Sequence, residues 1–331
     1  MRNAILTSVI ATWLAAGVAS AGDYKVLDRV PGPDGGWDYA RIDAAHNRVL
    51  VARGSFVQAV DLTSHAVTAG LAPGAMLHDA LPVNGGAEIM VTNGGTASAV
   101  FIDAKTALTV ATVKTGRNPD AAAFDPKTGL VLAMNHTGGS VTLIDPKAHT
   151  VVGTIEVGGA LEAGAVDGTG RAFVNVEDKN EIAVLDLIKA TVTARYPLPG
   201  CDAPTGIIYD AADRLLLSAC DGATVVVDAA TGKVVQTLAT GKGADGIAWD
   251  AGRRLAFVSA GRDGTLSVIE IKGGKARIIQ TVQTARGART LAEDPKSGRV
   301  YLPSAEYTAS ATPGGRPTVV PGSFKLIIVG P

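Results

Sequence analysis

The chain has little of what builds a helical protein or marks a familiar enzyme. Past the N-terminus no long segment repeats its apolar residues every 3.6 positions, which excludes helix-rich folds. Aromatic residues make up 5% of the sequence and charged residues 18%, so its interior must be filled by small and aliphatic side chains. Acids and bases nearly balance at a formal charge of −1, which offers no basic field for nucleic acid or an anionic membrane. Motifs for a serine nucleophile (G-x-S-x-G), a catalytic zinc (H-E-x-x-H), covalent haem (C-x-x-C-H) and a phosphate cradle (G-x-x-x-x-G-K-[ST]) are all missing, so reactions that depend on them have no support.

What the sequence does have is a repeat. Gly241 to Glu270 reads as a small-residue loop, a strand closing on Asp250, a turn, a second strand, a polar loop and a third strand. The closing acid or amide recurs as Asp43, Asn84, Asp125, Asp167, Asp210, Asp250 and Asp294, at intervals of 41, 41, 42, 43, 40 and 44. A second marker ends the third strand at Asp61, Asp103, Asp145, Asp186, Asp228 and Glu270, at intervals of 42, 42, 41, 42 and 42. Two series in phase, followed by turn sequences such as DPKTG and DAATG, predict an all-β seven-bladed β-propeller with four-stranded antiparallel blades. Blades pack on their neighbours, so residues 22–331 can form a single domain although the chain exceeds most single cores.

Residues 1–21 read as a cleavable signal peptide. Arg2 gives a positive start, Ala4 to Val18 is apolar, and Ala19-Ser20-Ala21 has the small-x-small pattern of a cleavage site. The apolar run is shorter than the ~20 residues a membrane span needs, so a periplasmic protein without a span is expected. Asp23 to Gly32 resembles the outer-strand segments VVGTIEVGG and TVTARYPLPG, whereas the last repeat ends at Val329 with no outer strand. The N-terminal segment is therefore expected to be the fourth strand of the last blade, closing the ring and covering two sheet edges. Early first-strand positions are small (Ala40, Ala80, Ala121, Ala163, Gly206, Gly246), as a crowded centre requires.

Through GPDGGWDYARID, VNVEDKNEIAVLD, LPGCDAP, LLLSACDG and GARTLAEDPKSGRVYLPSA, the chain resembles the exported seven-bladed propellers of the YVTN or YncE-like family, over nearly all of Asp23 to Val329. That resemblance implies fold and export, and it implies no particular reaction.

In a propeller the loops entering each first strand and those between second and third strands share one face around the central channel. Five positions before each first marker stand Asp38, Asp79, Asp120, Glu162, Thr205, Asp245 and Arg289. Five carboxylates at one height repel one another unless a cation or hydrogen bonds compensate, so Asp38, Asp79, Asp120, Glu162 and Asp245 are candidate ligands for a divalent metal ion in the channel or for an amine. The same acids could instead staple backbone N–H groups. Trp37, His78, Asn118 and Asp202 fall in incoming loops, and Arg53, Asn93, Asn135, His136, Glu177, Arg262, Glu306 and Tyr307 between second and third strands, completing a candidate ligand funnel.

Pairing Tyr209 with Arg214 across the DAAD turn sets Cys201 and Cys220 nearly opposite, so a disulfide is expected in an exported chain. Residues 304–323, rich in Gly, Pro, Ser and Thr and including Arg316, form a loop long enough for a lid. Three functions fit: a monomeric binding protein holding a small molecule or protein partner at the funnel, a metal-dependent lactonase-type hydrolase on the same face, or an accessory to a redox-cofactor enzyme. Binding is favoured because no nucleophile stands out.

Overall fold

The computed structural model describes residues 23–308 and 318–331. The expected signal peptide and the middle of the long loop, Arg316 included, lie outside the described residues.

Short strands form because most are ended by a side chain that caps a turn. Asp61 Oδ1 accepts the N–H groups of Thr63 and Ser64 at 2.9 and 2.7 Å. Asp103, Asp145, Asp186 and Asp228 repeat that geometry. Asp125, Asp250 and Asp294 cap the turn after the first strand in the same manner. Both in-phase markers are thus turn anchors. Glu270 differs, since the strand Thr265–Lys272 runs past it to a turn at Gly273 and Gly274, both at positive φ.

Among the described residues the strands make five antiparallel four-stranded sheets, one sheet of seven strands and one of two. In the seven-stranded sheet Val67–Val83 pairs at one end with Gly54–Asp61 and at the other with Glu88–Asn93, so this long strand is the last of one four-stranded unit and the first of the next. His78 and Asp79 therefore sit on a strand and not in a loop. Lys25–Pro31 pairs with Lys325–Gly330, so an N-terminal strand flanks strands from the end of the chain. Tyr24 adds reciprocal hydrogen bonds with Gln280 at 2.9 and 2.8 Å. At the base of the long loop, Tyr307–Thr308 pairs with Thr318–Val319.

The core lies between sheets. Val83, Met90 and Phe101 of one repeat pack with Ala122, Val131 and Ile144 of the next, and Phe173 and Ile182 pack with Leu216 and Val225. Phe101, Phe173 and Phe257 are fully buried, each contributing about 1.5–3 kcal/mol by leaving water. Cys201 and Cys220 are joined by a disulfide with Cα atoms 5.3 Å apart. The route to it differs from the expected one: Tyr209 pairs with Leu216, and an Asp221 N–H to Asp202 O bond of 2.8 Å at the loop end brings the cysteines together.

Register decides which residues share a level. Asp43 pairs with Arg48, Asp125 with Leu130 and Asp250 with Leu255, but in the second repeat Val83, not Asn84, pairs with Glu88. His78, not Asp79, therefore stands level with Asp38 and Asp120. The same frame puts Tyr39, not Ala40, level with Ala121, Ala163, Gly206 and Gly246. A slip of one residue in a strand sends a side chain to the other face.

Candidate functional site

Asp38, His78, Asp120, Glu162, Thr205, Asp245 and Arg289 form a collar at one level. Asp38 follows a loop that Arg53 holds: its buried guanidinium donates to Gly36 O at 2.9 Å, Pro33 O at 2.7 Å and Gly35 O at 3.2 Å, donates to Gln58 Oε1, and lies 3.5 Å over the Phe324 ring. Burial lowers its pKa to about 10. Trp37 is buried against Tyr307 and Phe324, and its carbonyl accepts Arg289 Nη2 at 2.8 Å. Arg53 and the Trp37 ring are struts of the site; neither side chain is presented to a ligand.

Around the collar, two cationic side chains each bridge a pair of acids: His78 lies between Asp38 and Asp120, and Arg289 between Asp245 and Asp38. His78 Nδ1 lies 2.7 Å from Asp38 Oδ2 and 3.0 Å from Asp120 Oδ1, and its Nε2 lies 3.1 Å from Asn118 Oδ1. With acceptors on both nitrogens the ring is an imidazolium. Burial opposes that charge, but hydrogen bonds to Asp120 and Asp38 outweigh it and lift His78 to about 10. Gly94 makes room for this arrangement, since a Cβ there would collide with Asn118 Oδ1 and stand 2.9 Å from His78 Nε2. Arg289 donates to Asp245 Oδ2 at 2.6 Å and reaches Asp38 Oδ1 at 3.8 Å. Burial raises the pKa of Asp38 and of Asp245, against the pull of His78 and Arg289 respectively.

Beside the collar, His136 Nδ1 lies 2.9 Å from Glu162 Oε1 and 3.2 Å from Leu161 O. That carboxylate raises His136 to about 9. Burial first, then the charges of Asp120 and Asp245, push Glu162 up to about 8 despite the His136 hydrogen bond.

Asp79 is not part of this level. It is fully buried one layer below, where it accepts Arg41 at 2.8 and 2.5 Å and the N–H groups of Ala80 and Ala122 at 2.8 and 2.9 Å. Every oxygen is used within the fold, which removes it from the candidate cation ligands. Asn135 is likewise internal, donating to Ser140 and Thr142 at 3.1 and 2.9 Å, and Asn93 is buried at a strand end. Glu177, Asp202 and Arg262 share a rim depression of about 320 Å³ with Asp245 and Arg289. Glu306 and Tyr307 instead line a separate cavity of about 790 Å³ beside Lys325.

Among the described residues two groups offer metal-type donors within 4.8 Å of one another: Asp38 with His78 and Asp120, and His136 with Glu162 and Glu177. The residue that sequence reasoning missed is Tyr39. It is 8% exposed, packs with Ala121 and Leu161, and points its hydroxyl at Glu162 Oε2, 3.5 Å away. Its signal was present: counting four back from Asp43, as from Asp125 to Ala121, finds it as the one large aromatic residue at a level otherwise held by Asp79, Ala121, Ala163, Gly206, Gly246 and Thr290.

No family model and no curated protein matches the chain. Solved structures do. A chain of the mitotic checkpoint complex superposes with a TM-score of 0.75 at 15% identity, over 99% of this chain and 98% of that one. A chain of hydrazine synthase from Kuenenia stuttgartiensis gives 0.70 at 14% identity, over 87% and 95% respectively. Both are β-propeller-like, and at such identity the likeness carries the fold alone.

Proposed function

We propose that this chain is an exported seven-bladed β-propeller of the YVTN or YncE-like kind, a single domain closed by its N-terminal strand, that binds a cationic ligand at the funnel above the collar. The observation that carries the reading is the collar's charge. Four carboxyl groups (Asp38, Asp120, Glu162, Asp245) face three cationic side chains (His78, His136, Arg289), and the group left over is an acid. Burial holds a proton on Glu162 up to about pH 8; an amine or metal ion entering the funnel would replace it. Glu177 and Asp202 on the rim extend the negative surface.

Export is supported by the disulfide, which belongs to an oxidising compartment. Among the described residues no helix is long and apolar enough to cross a membrane. One of the similar propellers belongs to a complex, which supports a protein partner presenting the cationic group as well as a free small molecule.

Thermal shift and calorimetry with a panel of alkyl amines, guanidinium compounds and divalent ions test the reading, on wild type and on Asp120→Asn with Asp245→Asn. Wild type is expected to gain stability with one class of cation and the variant to lose that gain. If the collar only staples the repeats, the variant melts lower and neither protein responds to any cation, which would retire the proposal. A lactonase-type hydrolase is the second reading, because a bound ion could activate water; the His136 group favours it.

A further inference from the structure

The cavity beside Lys325 is built by both ends of the chain and by the sheet that precedes them. Arg29 pairs with Ile327, while Pro31 and Ser304 both pair with Lys325, so Arg29, Ser304, Lys325 and Ile327 share one face of their sheet. On that face Ile327 is buried in a cluster with Phe257 and Val282 of the preceding sheet. Arg286 comes from the opposite wall, in the connection after the strand Lys275–Gln283. Between the walls lie about 790 Å³, a size that takes a small organic molecule. Hydrogen bonds hold the frame: Ser304 Oγ donates to Arg286 O at 2.9 Å, Val320 N–H to Glu306 O at 2.9 Å and Gly322 N–H to Asp34 Oδ1 at 2.7 Å. Walls fixed in advance lower the cost of binding.

The charge of this cavity runs opposite to that of the collar. Arg29, Arg286 and Lys325 line it with one acid, Glu306. Among the described residues none of the three cations is paired with a carboxylate, and residues 1–22 and 309–317 contain no Asp or Glu. Their one side-chain hydrogen bond among the described residues is a long one, Lys325 Nζ to Gly322 O at 3.4 Å. Elsewhere the chain matches its arginines: Arg254 bridges Asp210 and Asp213 at 2.6 and 2.5 Å, and Arg289 reaches Asp245 at 2.6 Å. Arg29 and Arg286 are exposed and Lys325 is half-buried, so a ligand entering from solvent meets all three. Ala285, Ala305, Val320 and Ile327 supply apolar surface between them.

We propose that this cavity binds an organic carboxylate with an apolar body, its head on Arg29, Arg286 and Lys325 and its body along the apolar wall. A guanidinium presents two parallel N–H donors that match a carboxylate, and two of the three cations are arginines. Arg29 belongs to the N-terminal strand, Lys325 to the C-terminal strand and Arg286 to the connection from the preceding sheet, so the bound anion also ties both chain ends to their neighbour. The site shares no residue with the collar and takes the opposite charge, so either assignment stands if the other fails.

The probe is dansyl-labelled undecanoate, followed by its fluorescence, beside its methyl ester, which keeps the body and lacks the charge. Wild type is expected to bind one equivalent of the carboxylate, more weakly as salt rises, and the ester at least about tenfold less tightly. Arg286→Gln with Lys325→Gln should weaken the carboxylate by at least about tenfold and leave the ester unchanged. Lys114→Gln, an exposed cation on another repeat, should alter neither. Both replaced residues reach solvent, so the double variant is expected to fold, and a melting curve checks this. Absence of saturable binding by wild type overturns the proposal. Equal affinity for carboxylate and ester overturns it as well, and so does a double variant that binds the carboxylate like wild type. Binding to phosphatidylglycerol vesicles that the double variant loses, with none of the soluble probe, would assign the cations to a lipid surface and overturn it too.

Discussion

His78 and His136 stand near each other on one face, each against carboxylates, and they do opposite things. His78 meets oxygen on both nitrogens and bridges Asp38 to Asp120, which come from different repeats. His136 meets oxygen on Nδ1 alone and lies over an open depression. An imidazolium that meets oxygen on both nitrogens is locked between repeats, whereas one held by a single nitrogen leaves its other N–H facing the depression. Residue type and burial do not distinguish the pair; the number of engaged nitrogens does.

The hardest way to break the contrast is to remove His78. His78→Leu leaves Asp120 without its ion-pair partner and Asp38 with only the more distant Arg289, 3.8 Å away, and unfolding in denaturant should show a loss of about 3 kcal/mol, as for other broken ion pairs in poor solvent contact. His136→Leu should cost clearly less, and equal losses would dissolve the distinction.

Alkaline titration sharpens it. The folded-state values of His78 and His136 are raised to about 10 and about 9 from 6.5, so their stabilisation is complete below pH 6.5 and is lost as pH rises through about 9 and then about 10. Glu162, raised to about 8 from 4.5, has the same sign: its share is complete below pH 4.5 and gone above about 8. Melting temperature in chelator should therefore fall steadily toward alkaline pH. His78→Gln should erase the last stage of that fall and His136→Asn the stage before it; a wild-type curve that rises with pH would contradict both assignments.

A gentler change should make His78 resemble His136. Gly94→Ala forces Asn118 away from His78 Nε2 and, by removing one hydrogen bond, should cost about 1 kcal/mol. Proton NMR should show the His78 pKa dropping below its wild-type value; an unmoved value would mean that Asn118 is not holding the ring. The smallest expected effect is that of Glu177→Gln, within about 0.5 kcal/mol in stability as for an ordinary surface change; a melting curve that shows a larger loss would mean that this rim side chain supports the fold.

Much of this was legible in the chain. Turn-capping acids must recur wherever a strand must stop, so Asp61, Asp103, Asp145, Asp186 and Asp228 mark the repeat before any coordinates do. The pairing of Cys201 with Cys220 was likewise open to a sequence reading, because both lie near the loop ends of one hairpin. Most of the collar was too: Asp38, Asp120, Glu162, Asp245 and Arg289 follow from counting back along strands of even length. The count fails at the second repeat because the acid or amide that looks like its marker, Asn84, belongs to the turn, and Val83 ends the strand. Asp79 was thereby raised a layer too high and His78 left out of the level it occupies.

Sequence alone thus determined the strands, their turns and the residue types offered to one face, since these depend on local backbone and capping chemistry. Which of those residues meet was decided only by tertiary structure. Register fixes the layer of each side chain to within one residue, and a charge buried between strands is governed by partners far away in the chain: Asp79 by Arg41, His78 by Asp38 and Asp120, Glu162 by His136 and by a tyrosine 123 residues earlier. The chain carries the acids, but which acid is neutralised and which histidine stays available depends on contacts between repeats, and no local pattern encodes those.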